Sequence, residues 1–146
     1  MQNKIMVLNG PNLNLLGQRE PEIYGTQTYE TLVRMIKEEA HFMGIDAEVR
    51  QSNHEGVLVD WIQEAAGKFD GIIINPAAYT HTSIAIPDAI RSVKLPTVEV
   101  HISQPQQRED YRRISYTSPA CIATIAGHGL KGYLEAMELL NKEFLS

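Results

Sequence analysis

The hydrophobic pattern along the chain alternates between short unbroken apolar runs and longer stretches with helical spacing. Ile5-Met6-Val7-Leu8, Ile72-Ile73-Ile74, Val98 with Val100, and Ile122 to Ile125 are runs bounded by Gly, Pro or Asn. Consecutive apolar residues suit strands covered on both faces, as in a parallel sheet. Asp46 to Arg50 predicts a fifth strand at an edge, because only Ala47 and Val49 alternate there with charges. Between these runs, Tyr29, Leu32, Val33, Ile36, Ala40 and Met43 recur at spacings of three and four, and Gly44 supplies a stop. Leu58, Trp61, Ile62, Ala65 and Phe69 predict a second helix capped by Ser52 or Asn53. Ile84, Ala85, Ala89, Ile90 and Val93 predict a third, and Leu130, Tyr133, Leu134, Met137 and Phe144 a fourth.

Strand and helix in alternation predict an α/β fold with right-handed crossovers. Five strands fit a flavodoxin-like, doubly wound parallel sheet with helices on both faces better than the six-stranded dinucleotide-binding fold. The 146 residues fit one domain, 1–146. Thirteen basic against eighteen acidic side chains leave a net charge of −5, which argues against a general nucleic-acid binder. The single cysteine, Cys121, excludes an intramolecular disulfide and a multi-cysteine zinc site. Met1 to Leu8 lacks the pattern of a signal peptide, and no apolar run nears the roughly 20 residues that span a bilayer. The expectation is a soluble cytoplasmic protein without a membrane partner.

Ligands of open α/β sheets sit outside the carboxyl ends of the strands. That rule selects 9–25, 51–56, 75–83, 101–113 and 127–129 as candidate site segments, and polar residues crowd into all five. The first is too long for a tight phosphate loop and lacks both GxGxxG and GxxxxGK[ST], so no nucleotide cofactor is expected. Its length suits a lid. Arg19 and Tyr24 lie within it. Lowering a tyrosine pKa by about two units takes about 2.7 kcal/mol of selective phenolate stabilisation, which one well-placed arginine can supply. The pair reads either as a tyrosinate base or as an exposed arginine beside a packed tyrosine. Glu99 and His101 stand at i and i+2 of a strand, on one face, so the carboxylate can orient the ring. This is either a general acid or base, or a structural polar pair. Metal ligation is not expected, since neither HxH nor HExxH accompanies them. Segment 75–83 offers amide, hydroxyl and imidazole groups before a helix N-terminus, with Ser83 or Thr82 as an ordinary cap. Arg108, Arg112 and Arg113 form either a carboxylate clamp or a solvated helix face. The inventory suits proton transfer on a small anionic substrate without metal or cofactor.

Five ordered motifs make the picture specific. They are Leu8-Asn9-Gly10-Pro11-Asn12-Leu13-Asn14-Leu15-Leu16-Gly17 with Arg19 and Tyr24, Gln51 to Gly56, Asn75-Pro76 with Ala78 to Ser83, Glu99 to Ser103 with Arg108, and Gly127 with Gly129 and Gly132-Tyr133. Across nearly the whole chain this resembles type II 3-dehydroquinate dehydratase. The resemblance implies anti elimination of water from 3-dehydroquinate to 3-dehydroshikimate, in aromatic biosynthesis or quinate breakdown. It implies Tyr24 as tyrosinate base, Arg19 holding it, Asn12 helping to stabilise an enolate, and His101 protonating the departing hydroxyl, oriented by Glu99. It implies Asn75, His81, Ile102, Ser103 and Arg112 as substrate-binding residues, with Asp88 reaching a neighbouring subunit's site in a dodecamer built from trimers. Three positions depart from the family pattern: Ala77 replaces a common glycine, Pro87 precedes Asp88, and Gln104 replaces a usual asparagine. A positive φ at Ala77 would cost about 1 kcal/mol. Two other readings stand beside the dehydratase: a flavodoxin-like binding or signalling module, and a catalytically silent relative that binds a similar acid.

Overall fold

A computed structural model describes residues 2–18, 22, 26–104 and 109–146. Its strands are β1 (Lys4–Asn9), β2 (Asp46–Gln51), β3 (Gly71–Asn75), β4 (Thr97–His101) and β5 (Ala123–Ala126), and its helices α1 (Tyr29–Met43), α2 (Glu55–Ala65), α3 (Ala85–Val93) and α4 (Lys131–Leu145). All four strand pairings are parallel, in the order β2-β1-β3-β4-β5. This is the flavodoxin-like, doubly wound arrangement that the pattern predicts, with the charged strand β2 at an edge.

Alternation along the strands sorts side chains onto two faces. Ile5, Val7, Ile73, Val98 and Val100 pack with Leu32 and Ile36 of α1 and with Tyr133, Met137 and Leu140 of α4. Met6, Leu8, Ile72 and Ile74 pack with Leu58 and Ile62 of α2 and with Ile86 and Ile90 of α3. Both faces are covered, so the central strands read as unbroken apolar runs. Each fully buried Ile or Leu contributes roughly 1.5–3 kcal/mol. Among the described residues, no helix is long and apolar enough to cross a membrane.

Helix ends follow local chemistry. Thr28 Oγ1 accepts the Thr31 N–H at 3.1 Å to open α1, and Gly44, at φ 71°, ends it. The expected Ser52 or Asn53 cap of α2 is not used: His54 is the cap residue. Ser52 Oγ instead accepts the His54 N–H at 3.0 Å, and Asn53 Oδ1 is occupied by the Asn12 N–H and by Gln51 Nε2. Nor does α2 run to Phe69. It stops at Ala65, the chain turns through Gly67 at φ 78°, and Phe69 folds back into the core at 7% exposure. Ile122 lies outside β5 and is half-exposed. Ser83 Oγ accepts the Ile86 N–H at 3.1 Å, as a capping serine should, while the formal cap position falls on Ile84.

The connection from β4 to β5 contains no α-helix among its described residues, only short 3-10 turns at Asp110–Arg112 and Ser118–Ala120. The stretch 114–121 therefore lies where a covering helix would otherwise sit, with Ala120 and Cys121 against the α2/α3 face of the sheet. At the carboxyl ends, Gln51, Asn9 and Asn75 stand in one row across β2, β1 and β3. Gly10 follows that row and donates its N–H to the Asn75 carbonyl at 2.8 Å. A Cβ on Gly10 would lie 2.5 Å from the Pro76 carbonyl oxygen. Gly10→Ala is therefore expected to cost about 3 kcal/mol through backbone displacement, read as a lower urea midpoint at unchanged m-value.

Candidate active site

In β4, Val98 and Val100 face α1 and α4, which sends Thr97, Glu99 and His101 to the opposite face. Register places Ile74 and Thr124 on either side of Glu99. Glu99 is fully buried. Its Oε2 accepts Thr80 Oγ1 at 2.6 Å, Ser115 Oγ at 2.9 Å and His101 Nε2 at 2.5 Å. Its Oε1 accepts Thr124 Oγ1 at 3.1 Å and Ser115 Oγ at 3.2 Å. Burial by itself would raise the Glu99 pKa, but the hydrogen bond and charge of His101, with the Thr80 and Ser115 hydroxyls, overcome it and hold the carboxyl below its usual range. Nε2–H of His101 is thus committed to a carboxylate, and Nδ1 is the nitrogen left for chemistry.

His101 opens into a polar cavity of about 570 Å³, whose walls include His81, Gln104, Arg112, Arg113 and Ser115. His81 Nδ1 donates to the Ile114 carbonyl at 2.7 Å. Burial lowers its pKa, reinforced by the charges of His101 and Arg112 and opposed by the Ile114 hydrogen bond and Glu99. Neutral, with its proton on Nδ1, it presents Nε2 as an acceptor. Arg112 Nε pairs with Glu109 at 2.9 Å, and its guanidinium lies 5.3 Å from the Tyr111 ring centre.

Of the expected site residues, the structure gathers Glu99, His101, His81 and Arg112 around this one cavity. Asn75 leaves β3 on the α1/α4 side and is buried in a second network. Its Nδ2 donates to Tyr133 Oη at 2.9 Å, the Tyr133 hydroxyl donates to Asn9 Oδ1 at 2.7 Å, and Asn75 Oδ1 accepts the Ala77 N–H at 3.1 Å. Ala77 does adopt positive φ, at 53°. Asn12 is exposed in a left-handed conformation at φ 71°, its N–H held by Asn53 Oδ1 at 3.0 Å. Ile102 is buried and Ser103 half-buried, and the Ser103 carbonyl accepts the Gly127 N–H at 3.0 Å. Asp88 points outward from α3 beside Arg91, at 3.8 Å, away from this cavity. Gln104 lines the cavity and packs its side chain against Gly127, at φ 82°. Arg19, Tyr24 and Arg108 lie outside the described residues.

Sequence reasoning missed Ser115, Ser118 and Thr124. The available signal was the hydroxyl-rich run Ser115-Tyr116-Thr117-Ser118, together with Thr124 inside the run Ile122 to Ile125.

The class that these features define is a doubly wound α/β protein with a carboxylate-held histidine opening on a polar cavity. The family model described as Dehydroquinase class II matches residues 3–141. A 3-dehydroquinate dehydratase of Clostridium acetobutylicum is 57% identical over 143 residues, covering 98% of this chain and 99% of that protein. The crystal structure of a type II dehydroquinase from Butyrivibrio crossotus superposes with a TM-score of 0.95 at 54% identity, covering 96% of this chain and 98% of that one. Another, from Propionibacterium acnes, gives 0.93 at 46% identity, covering 97% and 98%. The chain belongs to the class II dehydroquinase family, whose activity is the dehydration of 3-dehydroquinate.

The lowered Glu99 pKa has a definite sign in stability. An unfolded glutamate titrates near pH 4.3, and the folded Glu99 below that. Its contribution is therefore fully present above the unfolded value and is lost as pH falls through the folded one. Between about pH 6 and pH 3, Glu99→Gln should lose stability less steeply than the wild type, as read from urea midpoints at each pH.

Proposed function

We propose that this chain removes water from 3-dehydroquinate by anti elimination through an enolate, without a cofactor, giving 3-dehydroshikimate for aromatic biosynthesis or quinate breakdown. The observation that carries the reading is the Glu99–His101 pair at the carboxyl end of β4, opening on a cavity walled by His81 and Arg112. In this reading the Tyr24 phenolate, held by Arg19, takes the proton from C2 and its electron pair moves into the enolate. Asn12 contributes to stabilising the enolate oxygen. The enolate then collapses, the C1–O bond breaks, and His101 delivers a proton to the leaving hydroxyl, so that water departs and the C1–C2 double bond remains. With Nε2–H on Glu99, that proton comes from Nδ1. Arg112 takes the substrate carboxylate, while Asn75, His81, Ile102 and Ser103 bind its remaining polar groups. His81 suits a substrate hydroxyl because its lowered pKa leaves Nε2 as a neutral acceptor.

The reading extends to a single catalytic domain, 1–146, in the cytoplasm and to a dodecamer built from trimers. The outward Asp88 on α3 suits a contact with a neighbouring copy's site. Light scattering of purified protein tests the assembly directly, since a mass far below twelve chains removes it.

Purified protein mixed with 3-dehydroquinate and a chelator should raise the ultraviolet absorbance as the conjugated product forms. Tyr24→Phe should abolish that rise while substrate binding, followed by calorimetry, persists; substantial residual turnover removes Tyr24 as the base. Arg112→Ala should raise KM by about a hundredfold, as the loss of a charge-assisted contact of roughly 2–3 kcal/mol requires, and an unchanged KM retires its carboxylate role.

A further inference from the structure

Glu99 and the hydroxyls around it form a set that neither family membership nor the elimination mechanism accounts for. An ionised carboxylate offers about four acceptor positions. Here Thr80, Ser115, Thr124 and His101 all converge on them, from the 3-10 turn after β3, the β4–β5 connection, β5 and β4. Thr80 Oγ1 and Ser115 Oγ are also 2.7 Å apart. With two hydroxyl protons for these contacts, one hydroxyl shares its proton between the carboxylate and its neighbour, so Thr80 and Ser115 act as one coupled donor pair. The Ser118 N–H donates to Ser115 Oγ at 3.0 Å and fixes the hydroxyl's orientation.

The same two segments are laced by backbone. The Tyr116 N–H donates to the Thr80 carbonyl at 2.7 Å, and His81 Nδ1 donates to the Ile114 carbonyl at 2.7 Å. Residues 80–81 and 114–116 therefore form a clamp closed over Glu99. Among the described residues, charged or titratable groups beside the Glu99–His101–His81 cluster are Arg112 and Arg113, which share its cavity, and the Cys121 thiol, pushed up to about 12 by burial and by the charge of Glu99. The thiol stays neutral.

We propose that Thr80 and Ser115 are positioning residues: acting through Glu99, they hold the His101 ring in the orientation that presents Nδ1 to the leaving hydroxyl. This rests on the reading of His101 as the acid. Without these donors, Glu99 keeps only Thr124 and His101 as partners, so the carboxylate is freer to turn and the ring it holds loses the angle at which Nδ1 meets the leaving hydroxyl.

The test uses the full chain with Thr80→Val and Ser115→Ala, beside the hydroxyl-keeping Thr80→Ser and Ser115→Thr. Each hydroxyl loss should lower kcat about tenfold, a fraction of what a general acid contributes, with KM changed less than about twofold. The proton shared by His101 Nε2 and Glu99, followed by NMR in the absence of substrate, should change its chemical shift in both. Thr80→Ser should restore kcat and that resonance together. A fall in kcat with an unmoved resonance, or a Thr80→Ser no better than Thr80→Val, overturns the proposal. If Thr80→Val does not fold, the half-buried Ser115→Ala decides alone. His101→Ala separates the two claims: turnover retained in it overturns the acid role and the positioning role together. An inactive His101→Ala beside hydroxyl variants with wild-type kcat overturns the positioning role only.

Discussion

A carboxylate buried in the middle of a sheet is the constraint that organises this molecule's carboxyl end. An isolated Glu99 in the place of an apolar residue would carry a prohibitive desolvation cost. It is tolerated because hydroxyls and an imidazole occupy its oxygens. Those partners must come from somewhere, and a covering helix presenting an apolar stripe could not supply them. The β4–β5 connection supplies them instead, as a chain of serines and threonines laid over the face where α2 and α3 end. The irregular crossover thus brings Ser115 to Glu99, and Glu99 in turn holds the His101 ring at the cavity.

The opposite face is organised by amides and phenols. Asn9 and Asn75, paired across β1 and β3, are joined by the Tyr133 hydroxyl from α4, and burial keeps that phenol firmly protonated. The C-terminal helix is thereby tied by hydrogen bonds to the strand ends from which the first loop and the turn at Ala77–His81 depart. The close approach of Gly10 to Pro76 completes the link. One site is thus supported by two separate polar networks, one on each side of the sheet. The network around Tyr133 is neutral, and the one around Glu99 is charged.

The departures from the family pattern sit on this framework in different ways. Ala77 accepts positive φ, and its N–H still reaches Asn75 Oδ1, so the strain is borne locally while the amide keeps its partner. Pro87 falls in the first turn of α3, where helix N–H groups lack intrahelical partners, and α3 forms around it. Gln104 lies along Gly127 at the cavity wall.

The sheet, its order and the faces of its helices were legible because period and composition are local properties: unbroken Ile runs admit only a doubly covered strand, and charges in Asp46 to Arg50 admit only an edge. The Glu99–His101 pair was legible for the same reason, since i and i+2 share a face in any strand. The end of α2 was not, because Phe69 keeps helical spacing after the chain has already turned at Gly67. Nor was the cap at His54, where Ser52 and Asn53 were claimed by other partners. The hydroxyls of Thr80, Ser115 and Thr124 could be read, but not their convergence on one carboxylate from 19, 16 and 25 residues away. Sequence by itself determined which residues seek the core and which could carry a proton. Only tertiary structure decided which hydroxyls meet Glu99, because burying a charge is settled by whatever donors the fold brings to it.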